Sequence, residues 1–198
     1  MARDMSPVLK RCRSLGLEPM VLGIDKKSNR AVRSGKKPSE YGLQLKEKQK
    51  AKFIYGVLEK PFRNYFERAT KMKEGTAGDN LMILLELRLD NVMFRLGYGR
   101  TRKEARQIVD HKHVLVNGKC VNIPSYQVKP GDVIEVKEKY KSFQRYKDIL
   151  EVTEGRLVPA WLEANHENLS GEVKEMPTRD MMADITVDPV LIVELYSK

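Results

Sequence analysis

Within residues 85–136 the hydrophobic period of this chain changes from that of a helix to that of a strand, and this change restricts the possible folds. An apolar stripe at helical spacing is formed by Leu85, Leu89, Val92 and Leu96. Residues 114–116 are instead a short apolar strand. Asn117-Gly118 then predicts a hairpin, because both central positions of a type I′ turn need positive φ. Helical segments that lead directly into a small antiparallel sheet indicate an α+β fold.

Two short helices are predicted before this sheet. Beside its apolar stripe, the first helix carries a polar stripe formed by Arg88, Asn91 and Arg95, and Gly97 and Gly99 end it. The second begins at Thr101, and Glu104 stands three residues later, which is the spacing of a capping box. Its inward face is predicted to consist of Ala105, Ile108 and Val109. Arg102 and Arg106 share an adjacent face of the same helix.

The strands that follow the hairpin turn complete the predicted module. Val121 and Ile123 alternate on the return strand, residues 129–132 form a turn, and residues 133–136 form another strand. The module is thus two basic helices on a small antiparallel sheet, without an evident catalytic group. Its arginines have two interpretations: they are solvated surface of an ordinary α+β module, or they bind a polyanion.

The uneven distribution of charge favours a polyanion partner. The chain has 198 residues and a net charge of +10. Residues 1–150 contain 33 Lys+Arg against 17 Asp+Glu, whereas residues 151–198 contain 4 against 10. A phosphate backbone and an anionic membrane both remain candidates at this point. No apolar run reaches the roughly 18 residues of a membrane span, and residues 1–5 lack the apolar core of a signal peptide.

Outside the module we expect three further regions. Residues 1–38 are basic and rich in Gly, Pro and Ser, so they are predicted to be partly extended. Helices are predicted from Ser39 to about Gly56 and over about 61–73, where the core stripe is Phe62, Tyr65, Phe66, Ala69 and Met72. Asp79-Asn80 is the predicted cap of the helix that enters the module. Only Cys12 and Cys120 are present, which suits a reducing cytoplasm.

The last third of the chain changes character twice. Residues 137–147 interleave basic residues with Tyr140, Phe143 and Tyr146, a pattern that fits either stacking on RNA bases or packing beneath the sheet. Residues 149–184 are predicted to be an acidic, loop-rich extension. Asp188-Pro189 then predicts the start of a short apolar helix, which must dock on the N-terminal helices or on a partner.

Several ordered blocks of sequence closely resemble the family of the bacterial small-subunit ribosomal protein S-four. The blocks begin with Ser39-Glu40-Tyr41-Gly42-Leu43-Gln44-Leu45, Tyr55-Gly56-Val57-Leu58-Glu59 and Phe62-Arg63-Asn64-Tyr65-Phe66. They continue with Arg88-Leu89-Asp90-Asn91-Val92, Thr101-Arg102, Ala105-Arg106, Val116-Asn117-Gly118, Ile123-Pro124-Ser125-Tyr126 and Leu191-Ile192-Val193-Glu194-Leu195-Tyr196. The resemblance covers nearly the whole chain from Ser39 onward.

This resemblance implies an architecture and a function. The implied architecture is a mostly helical domain, residues 39–87 completed by 185–198, into which a small RNA-binding module, residues 88–148, is inserted. The implied function is direct binding of small-subunit ribosomal RNA, nucleation of subunit-body assembly and, with the neighbouring S-five and S-twelve proteins, influence on translational accuracy. Messenger RNA is a further implied ligand, where it enters the subunit. The implied location is the cytoplasmic ribosome, and no membrane partner is implied.

The N-terminal segment departs from the pattern of many relatives. Those relatives hold four cysteines there and bind zinc, whereas this chain keeps only Cys12, so it resembles a zinc-independent form. We therefore predict no metal, no cofactor and no catalytic residue. The candidate RNA-binding residues on both domains are Arg11, Arg13, Lys36, Lys37, Tyr41, Lys46, Lys48, Lys50, Lys52, Arg63, Arg68, Lys71, Arg88, Arg100, Arg102, Lys103, Arg106, His111 and Lys112.

Two other classes of protein share single features with this sequence. Arg88-Leu89-Asp90 resembles the Arg-Leu-Asp of pseudouridine synthases, but those enzymes need a large catalytic β domain, and only about 50 residues follow Asp148 here. A helix-turn-helix DNA regulator would place one recognition helix in the major groove, whereas here the positive charge extends over residues 1–150. His111 and His113 form an incidental His-x-His pair without a carboxylate cluster.

Overall fold

The chain divides into two compact units, each of which is described by itself. The computed structural model describes residues 6–26, 29–30 and 38–197. One unit, here the helical unit, comprises residues 1–82 and 183–198, and the other, the sheet unit, comprises residues 83–182. The α+β fold class predicted from the sequence is confirmed.

The described part of the helical unit consists of helices. In chain order they are α1 (Val8–Leu15), a 3-10 helix (Pro19–Leu22), α2 (Glu40–Tyr55), α3 (Glu59–Thr70), the first part of α4 (Ala77–Glu86), and α9 (Pro189–Tyr196). The sequence prediction of a partly extended N-terminal segment missed α1, which buries Cys12 and Leu15. Val8, Leu9, Cys12 and Leu15 do have helical spacing, but the basic, Gly-, Pro- and Ser-rich composition of residues 1–38 favoured an extended segment.

Helix boundaries in this unit are set by their capping groups. The Ser39 hydroxyl accepts a hydrogen bond from the Gly42 N–H, and Gly56 ends α2 in the left-handed conformation with φ 63°, as predicted. The cap of α4 is Thr76, whose Oγ1 accepts from the Asp79 N–H at 3.1 Å, so the predicted Asp79-Asn80 cap was wrong. Asn80 instead donates from Nδ2 to the Glu74 carbonyl at 2.7 Å.

The apolar C-terminal helix α9 packs against α2 and α3 of the same unit. Asp188 caps it by accepting from the Val190 N–H, as the sequence predicts. Gln44 donates to Glu194 at 3.0 Å, and the Phe66 and Tyr196 rings stack with centroids 4.5 Å apart. Of the predicted aromatic stripe on α3, the structure buries Phe62, Tyr65 and Ala69, while Phe66 is half-buried and Met72 is exposed.

The sheet unit is built on a five-stranded antiparallel sheet with the strand order β2-β1-β3-β5-β4. The strands are β1 (Val114–Val116), β2 (Lys119–Cys120), β3 (Val133–Val136), β4 (Leu162–Asn165) and β5 (Ser170–Val173). Its helices are α5 (Leu89–Arg95), α6 (Arg102–Asp110), α7 (Glu138–Lys141) and α8 (Gln144–Thr153), after the end of α4. The type I′ turn is confirmed, since φ is 49° at Asn117 and 74° at Gly118.

The segment expected to be a loop-rich extension contributes to the same sheet and the same core. Strands β4 and β5 both come from residues 149–184, and β5 pairs with β3 in the register Ile134↔Gly171. Trp161 is fully buried in the core with Tyr98 and Ile149. A Cβ at Gly171 would approach Leu96 Cδ2 to 2.5 Å, so the absence of a side chain there lets β5 lie against α5.

The apolar stripe of residues 85–96 does not lie on one helix, and this prediction was wrong. α4 ends at Glu86, and Arg88 takes an extended conformation with φ −68° and ψ 134° before α5 begins. The interrupted backbone bonds to the segment after β2: the Leu89 N–H donates to the Tyr126 carbonyl, and the Val128 N–H donates to the Leu87 carbonyl. Contacts distant in sequence therefore replace helical hydrogen bonds at this point.

The return strand is also shorter than the alternation of Val121 and Ile123 predicts. β2 ends at Cys120, Val121 packs at the edge of the core, and Ile123 is 55% exposed in a turn closed by the Tyr126 N–H.

Among the described residues, no helix has both the length and the apolar character needed to cross a membrane.

Candidate nucleic-acid interface

One side of α6, the residue before its N-cap and the turn after the helix form a basic edge of the sheet unit, which we name the α6 edge. It consists of Arg100, Lys103, Arg106, His111 and Lys112. Arg106 is half-buried, and the other four are exposed. The opposite side of α6 is anchored because Ala105, Ile108 and Val109 are fully buried, as predicted. A helix that buries one side in the core presents the residues of its other side in a fixed spatial order.

The beginning of the α6 edge is held by a charged cluster around Glu104. The Glu104 N–H donates to Thr101 Oγ1, but the Glu104 carboxylate accepts from the Arg100 N–H at 3.0 Å, so the predicted capping box forms with a shifted partner. Arg100 adds a two-pronged contact through Nε and Nη2, both at 3.0 Å, and Arg145 approaches at 3.4 Å. Burial raises the pKa of Glu104, but the hydrogen bonds from Arg100 outweigh it and lower that pKa overall.

At its other end α6 stops in a Schellman motif with a lysine at the left-handed position. The His113 N–H donates to the Ile108 carbonyl, and the Lys112 N–H donates to the Val109 carbonyl. Lys112 has φ 64°, a conformation that glycine usually occupies here because it has no Cβ. This conformation costs a non-glycine residue about 1–2 kcal/mol, so lysine stabilises this helix end less than glycine would.

Three arginines that the sequence places on polar helix faces, Arg88, Arg95 and Arg102, are buried inside the sheet unit. Glu86 is fully buried and accepts hydrogen bonds from Asn91 Nδ2 at 2.8 Å and Arg95 Nη2 at 2.8 Å. Arg88 is 3% exposed and contacts Asp90 through Nε at 3.0 Å and Nη2 at 2.6 Å. The predicted polar stripe is therefore part of a buried polar network, in which Arg95 pairs with Glu86 and Arg88 pairs with Asp90, because an unpaired buried charge is costly.

Arg102 belongs to this network and not to an exposed face shared with Arg106. It is 7% exposed, donates from Nε to Asn91 Oδ1 at 2.8 Å, and lies over the Phe94 ring at 4.2 Å from its centroid. Arg106 lies at the edge of the network, with Nη1 3.7 Å from Asp90 Oδ2. The sequence spacing placed both arginines on one stripe, but only Arg106 reaches the α6 edge.

In the helical unit, the candidate lysines of α2 are largely paired with carboxylates. Lys48 and Lys52 both contact Glu59, at 2.8 and 2.6 Å, and Lys50 contacts Glu47 at 2.6 Å. Burial raises the pKa of Glu59, but hydrogen bonds from Lys48 and Lys52 outweigh it and lower that pKa to about 2. These pairs leave the α2 surface with less uncompensated positive charge than the sequence suggests.

The remaining candidates of the helical unit differ in exposure. Tyr41, Arg63, Arg68 and Lys71 are exposed, whereas Arg11, Arg13 and Lys46 are half-buried. Arg11 donates to Gln49 at 3.0 Å, and Arg63 pairs with Glu67 at 3.2 Å. Lys36 and Lys37 lie outside the residues that the structure describes.

Packing accounts for two of the three aromatic residues that follow the sheet. Tyr146 is 1% exposed in the core, and its hydroxyl lies 3.0 Å from His113 Nδ1. Tyr140 stacks on His113 with centroids 3.8 Å apart. Burial, followed by the nearby charge of Arg145, lowers the pKa of His113. Phe143 remains 49% exposed, so stacking on a base stays open for that residue alone.

Two residues that the sequence did not single out hold the loop before α6. Thr153 and Arg156, at the end of α8 and just after it, donate to carbonyl oxygens of residues 94–100. No motif or spacing identifies them, because they are more than 50 positions away along the chain.

Among the described residues, no cluster of His, Cys, Asp and Glu has a composition suited to a metal ion.

Two known families match adjacent parts of the chain. Residues 3–86 match the family described as "Ribosomal protein S4/S9 N-terminal domain", and residues 87–134 match the "S4 domain" family. The chain is similar to the small ribosomal subunit protein uS4 of Lachnoclostridium phytofermentans, at 80% identity over 100% of both chains. The uS4 proteins of Lachnospira eligens and of Fusobacterium nucleatum subsp. nucleatum are 70% and 49% identical, again over 100% of both chains. With matches of this identity and coverage, the chain belongs to the uS4 family of small ribosomal subunit proteins.

Proposed function

We propose that this chain is a structural component of the small ribosomal subunit in the cytoplasm. It binds ribosomal RNA directly, nucleates assembly of the subunit body, influences translational accuracy together with neighbouring proteins, and catalyses no reaction. Family membership supports the class of function. The observation that carries the RNA-binding site is the α6 edge, in which Lys103 and Arg106 on α6, Arg100 before it, and His111 and Lys112 after it surround a helix anchored in the core on its other side.

The proposed mechanism is electrostatic and depends on shape. Lysine and arginine side chains displace counterions from RNA phosphates, and this release supplies much of the affinity. A folded RNA junction presents phosphates and 2′-hydroxyl groups instead of readable major-groove edges. If about six to ten phosphates are contacted, affinity should fall by a factor on the order of a thousand or more between about 50 and 200 mM salt.

The structure changes which candidates belong to the proposed contact set. Arg88 and Arg102 are left out, because burial and pairing hold their guanidinium groups inside the sheet unit. The proposed set keeps the α6 edge and, in the helical unit, Arg11, Arg13, Lys36, Lys37, Tyr41, Lys46, Lys48, Lys50, Lys52, Arg63, Arg68 and Lys71. Lys48 and Lys52 are paired with Glu59 and their side chains are only 12% and 14% exposed, so we expect them to contribute less than Arg100, which pairs with Glu104 but is 48% exposed.

The position of Asp90 argues against the synthase alternative. A catalytic aspartate must reach its substrate, whereas Asp90 is 4% exposed and its carboxylate accepts from Arg88 and from the Asn91 N–H. The DNA-regulator alternative has a direct test in filter binding, where unlabelled duplex DNA and unlabelled ribosomal RNA compete with labelled small-subunit ribosomal RNA. RNA binding of the proposed kind requires that duplex DNA compete much more weakly.

The two native cysteines allow a cross-linking test of the interface. Cys120 is exposed, and its Sγ lies 3.8 Å from the Lys112 carbonyl oxygen, beside the α6 edge. Cys12 is buried, and burial raises the pKa of its thiol, so a thiol-directed photo-cross-linker should attach to Cys120. We expect the labelled protein to cross-link to small-subunit ribosomal RNA on illumination.

The controls for this experiment separate position from binding. Cys120→Ser should give no cross-link, and in that background Glu172→Cys, on the exposed side of β5, should label without cross-linking. If the labelled protein retains RNA on a filter but Cys120 does not cross-link to it, the interface lies elsewhere. Equal cross-linking from both positions would show that the α6 edge has no special role.

We also propose neighbouring proteins S-five and S-twelve and messenger RNA as partners. The support for a protein neighbour is the acidic C-terminal part of the chain, which RNA would repel: residues 151–198 hold 10 acidic against 4 basic residues. Glu163 and Glu172 face each other across β4 and β5. Reversing the charge of both side chains should weaken co-purification with S-five but not RNA binding. Unchanged co-purification would exclude this surface as the S-five contact.

A further inference from the structure

The loop between α5 and α6 is held by side chains from a distant part of the sheet unit. The single hydroxyl proton of Thr153 is shared between the Gly97 carbonyl, 2.9 Å from Oγ1, and the Ile149 carbonyl of its own helix, at 2.8 Å. Arg156 donates from Nη1 to the carbonyls of Phe94 at 3.0 Å and Gly99 at 2.9 Å, and from Nη2 to the Arg100 carbonyl at 2.9 Å. Carbonyls at and after the end of a helix have no partner within that helix, so these donors complete the end of α5.

Ring stacking adds to these hydrogen bonds. The Arg156 guanidinium lies over the Phe94 ring at 4.4 Å from its centroid, and Arg102 lies 4.2 Å from the same centroid. Phe94 itself is buried. A planar guanidinium that both stacks and donates to three carbonyls is constrained in position and orientation, which an ammonium group on a flexible stem could not reproduce.

The loop held in this way leads directly into the basic residues at the start of the α6 edge. Gly99 lies so close to α6 that a Cβ there would be 2.9 Å from the Ala105 backbone nitrogen. Thr101 caps the helix, and Arg100 and Lys103 lie on either side of this cap. A shift of the Gly99 and Arg100 carbonyls would therefore move the cap and change the spacing of the two basic side chains.

We propose that Arg156 is a positioning residue for RNA binding, which holds residues 94–100 so that Arg100 and Lys103 contact neighbouring phosphates together. This inference rests on the proposed function of the α6 edge. It adds a residue beyond the 87–134 segment that matches the S4 domain family. Arg156 acts through the backbone of the loop and not as a phosphate ligand, because its donors are directed to the loop carbonyls.

The test uses Arg156→Lys in the full-length chain, because this variant keeps the positive charge but cannot reproduce the forked contact. Lys103→Ala and the double variant complete a double-mutant cycle, with affinity for small-subunit ribosomal RNA measured by filter binding over a salt series. Lys103→Ala alone should weaken binding by about fivefold to tenfold, the effect of losing one phosphate contact at about 0.1 M salt. Arg156→Lys alone should weaken binding at least as much. It should also make the slope of log K against log salt shallower by about one to two, the value for one to two lost phosphate contacts.

If Arg156 only stabilised the fold, Arg156→Lys and Lys103→Ala would change RNA affinity independently. Coupling between their effects on RNA affinity therefore distinguishes a positioning role from a structural one. In the Arg156→Lys background, Lys103→Ala should have less than about a twofold effect, because Arg100 no longer lies at the distance from Lys103 at which the two side chains contact neighbouring phosphates together. Additive effects, or unchanged affinity in Arg156→Lys, would overturn the positioning role while leaving the α6 edge intact. If Lys103→Ala has no effect in the native chain, the α6 edge itself fails, and this inference fails with it.

Two further variants guard against misfolding and nonspecific effects. Thr153→Val removes one donor to the loop and keeps the side-chain shape, so it should show the same coupling to Lys103 at smaller size, even if Arg156→Lys does not fold. Absence of that coupling in Thr153→Val would then overturn the proposal. Lys174→Arg is a matched exchange at an exposed position paired with Glu163, and it should leave RNA affinity and its salt dependence unchanged.

Discussion

Replacement of Lys112 by glycine should make the sheet unit more stable and its binding to RNA weaker. Lys112 has φ 64° at the end of α6. A left-handed conformation costs a residue with a Cβ roughly 1–2 kcal/mol, and glycine avoids this cost but loses roughly 0.5–1 kcal/mol more backbone entropy on folding. The difference predicts a stabilisation of about 0.5–1 kcal/mol. For a domain of this size, that corresponds to a rise in Tm of roughly 2–8 °C.

The same change removes one cation from the α6 edge. At about 0.1 M salt, release of one counterion fewer costs about 1 kcal/mol, so the Kd for ribosomal RNA should rise by roughly fivefold to tenfold. The slope of log K against log salt should become shallower by about one. Thermal unfolding followed by circular dichroism measures the first effect, and filter binding over a salt series measures the second.

Two variants at the same position separate charge from conformation. Lys112→Ala keeps the Cβ, so it should lose RNA affinity without gaining stability, while Lys112→Arg should preserve both properties. If Lys112→Gly destabilises the protein, the argument from backbone strain is incorrect. If it stabilises the protein and leaves the RNA affinity and salt slope unchanged, Lys112 lies outside the interface.

Two further predictions concern the charged groups inside each unit. Glu86→Gln should destabilise the sheet unit by about 3–5 kcal/mol in denaturant unfolding, because Arg95 would keep a buried charge without a carboxylate partner. The control, Arg63→Gln at an exposed ion pair, should change the free energy of unfolding by less than about 1 kcal/mol. Equally small effects of both variants would contradict the description of the buried network. The pKa of Glu59 is lowered from 4.5 to about 2, so its ionic contribution should be complete above about pH 4.5 and lost as the pH falls towards 2. Since this carboxylate is half exposed, Glu59→Gln should cost less than about 1 kcal/mol near neutral pH, and the difference from the native chain should shrink below about pH 4. A difference that stays constant in acid would exclude ion pairing with Lys48 and Lys52 as its cause.

The features that the sequence predicts correctly are those governed by neighbouring residues. Ser39 and Gly56 bound α2, Asn117-Gly118 forms the turn, and Ala105, Ile108 and Val109 face the core. Caps, tight turns and the period of a helix depend on conformational preferences and hydrogen bonds within a few positions. These local rules were sufficient to predict the α+β class and two helices before a small sheet.

The errors occur where a partner distant in the sequence changes a local preference. The stripe from Leu85 to Leu96 has the correct period for one helix, but the 124–128 segment takes the hydrogen bonds at residues 87–90 and breaks it. The spacing of Arg102 and Arg106 predicts one shared face, and only the tertiary neighbours Asn91 and Phe94 explain why Arg102 is buried. Strands β4 and β5 were missed because residues 149–184 are acidic and rich in turn formers.

From the sequence alone came the fold class, the family resemblance and the expectation of a polyanion partner, because charge, period and ordered motifs are properties of the chain itself. Only the tertiary structure decided which basic side chains reach solvent, which arginines are buried in ion pairs, and which distant residues hold the loop before α6. The physical reason is that burial and pairing depend on where other segments lie. A lysine or arginine has the same formal charge in the sequence, whether its carboxylate partner is adjacent, on another helix, or missing altogether.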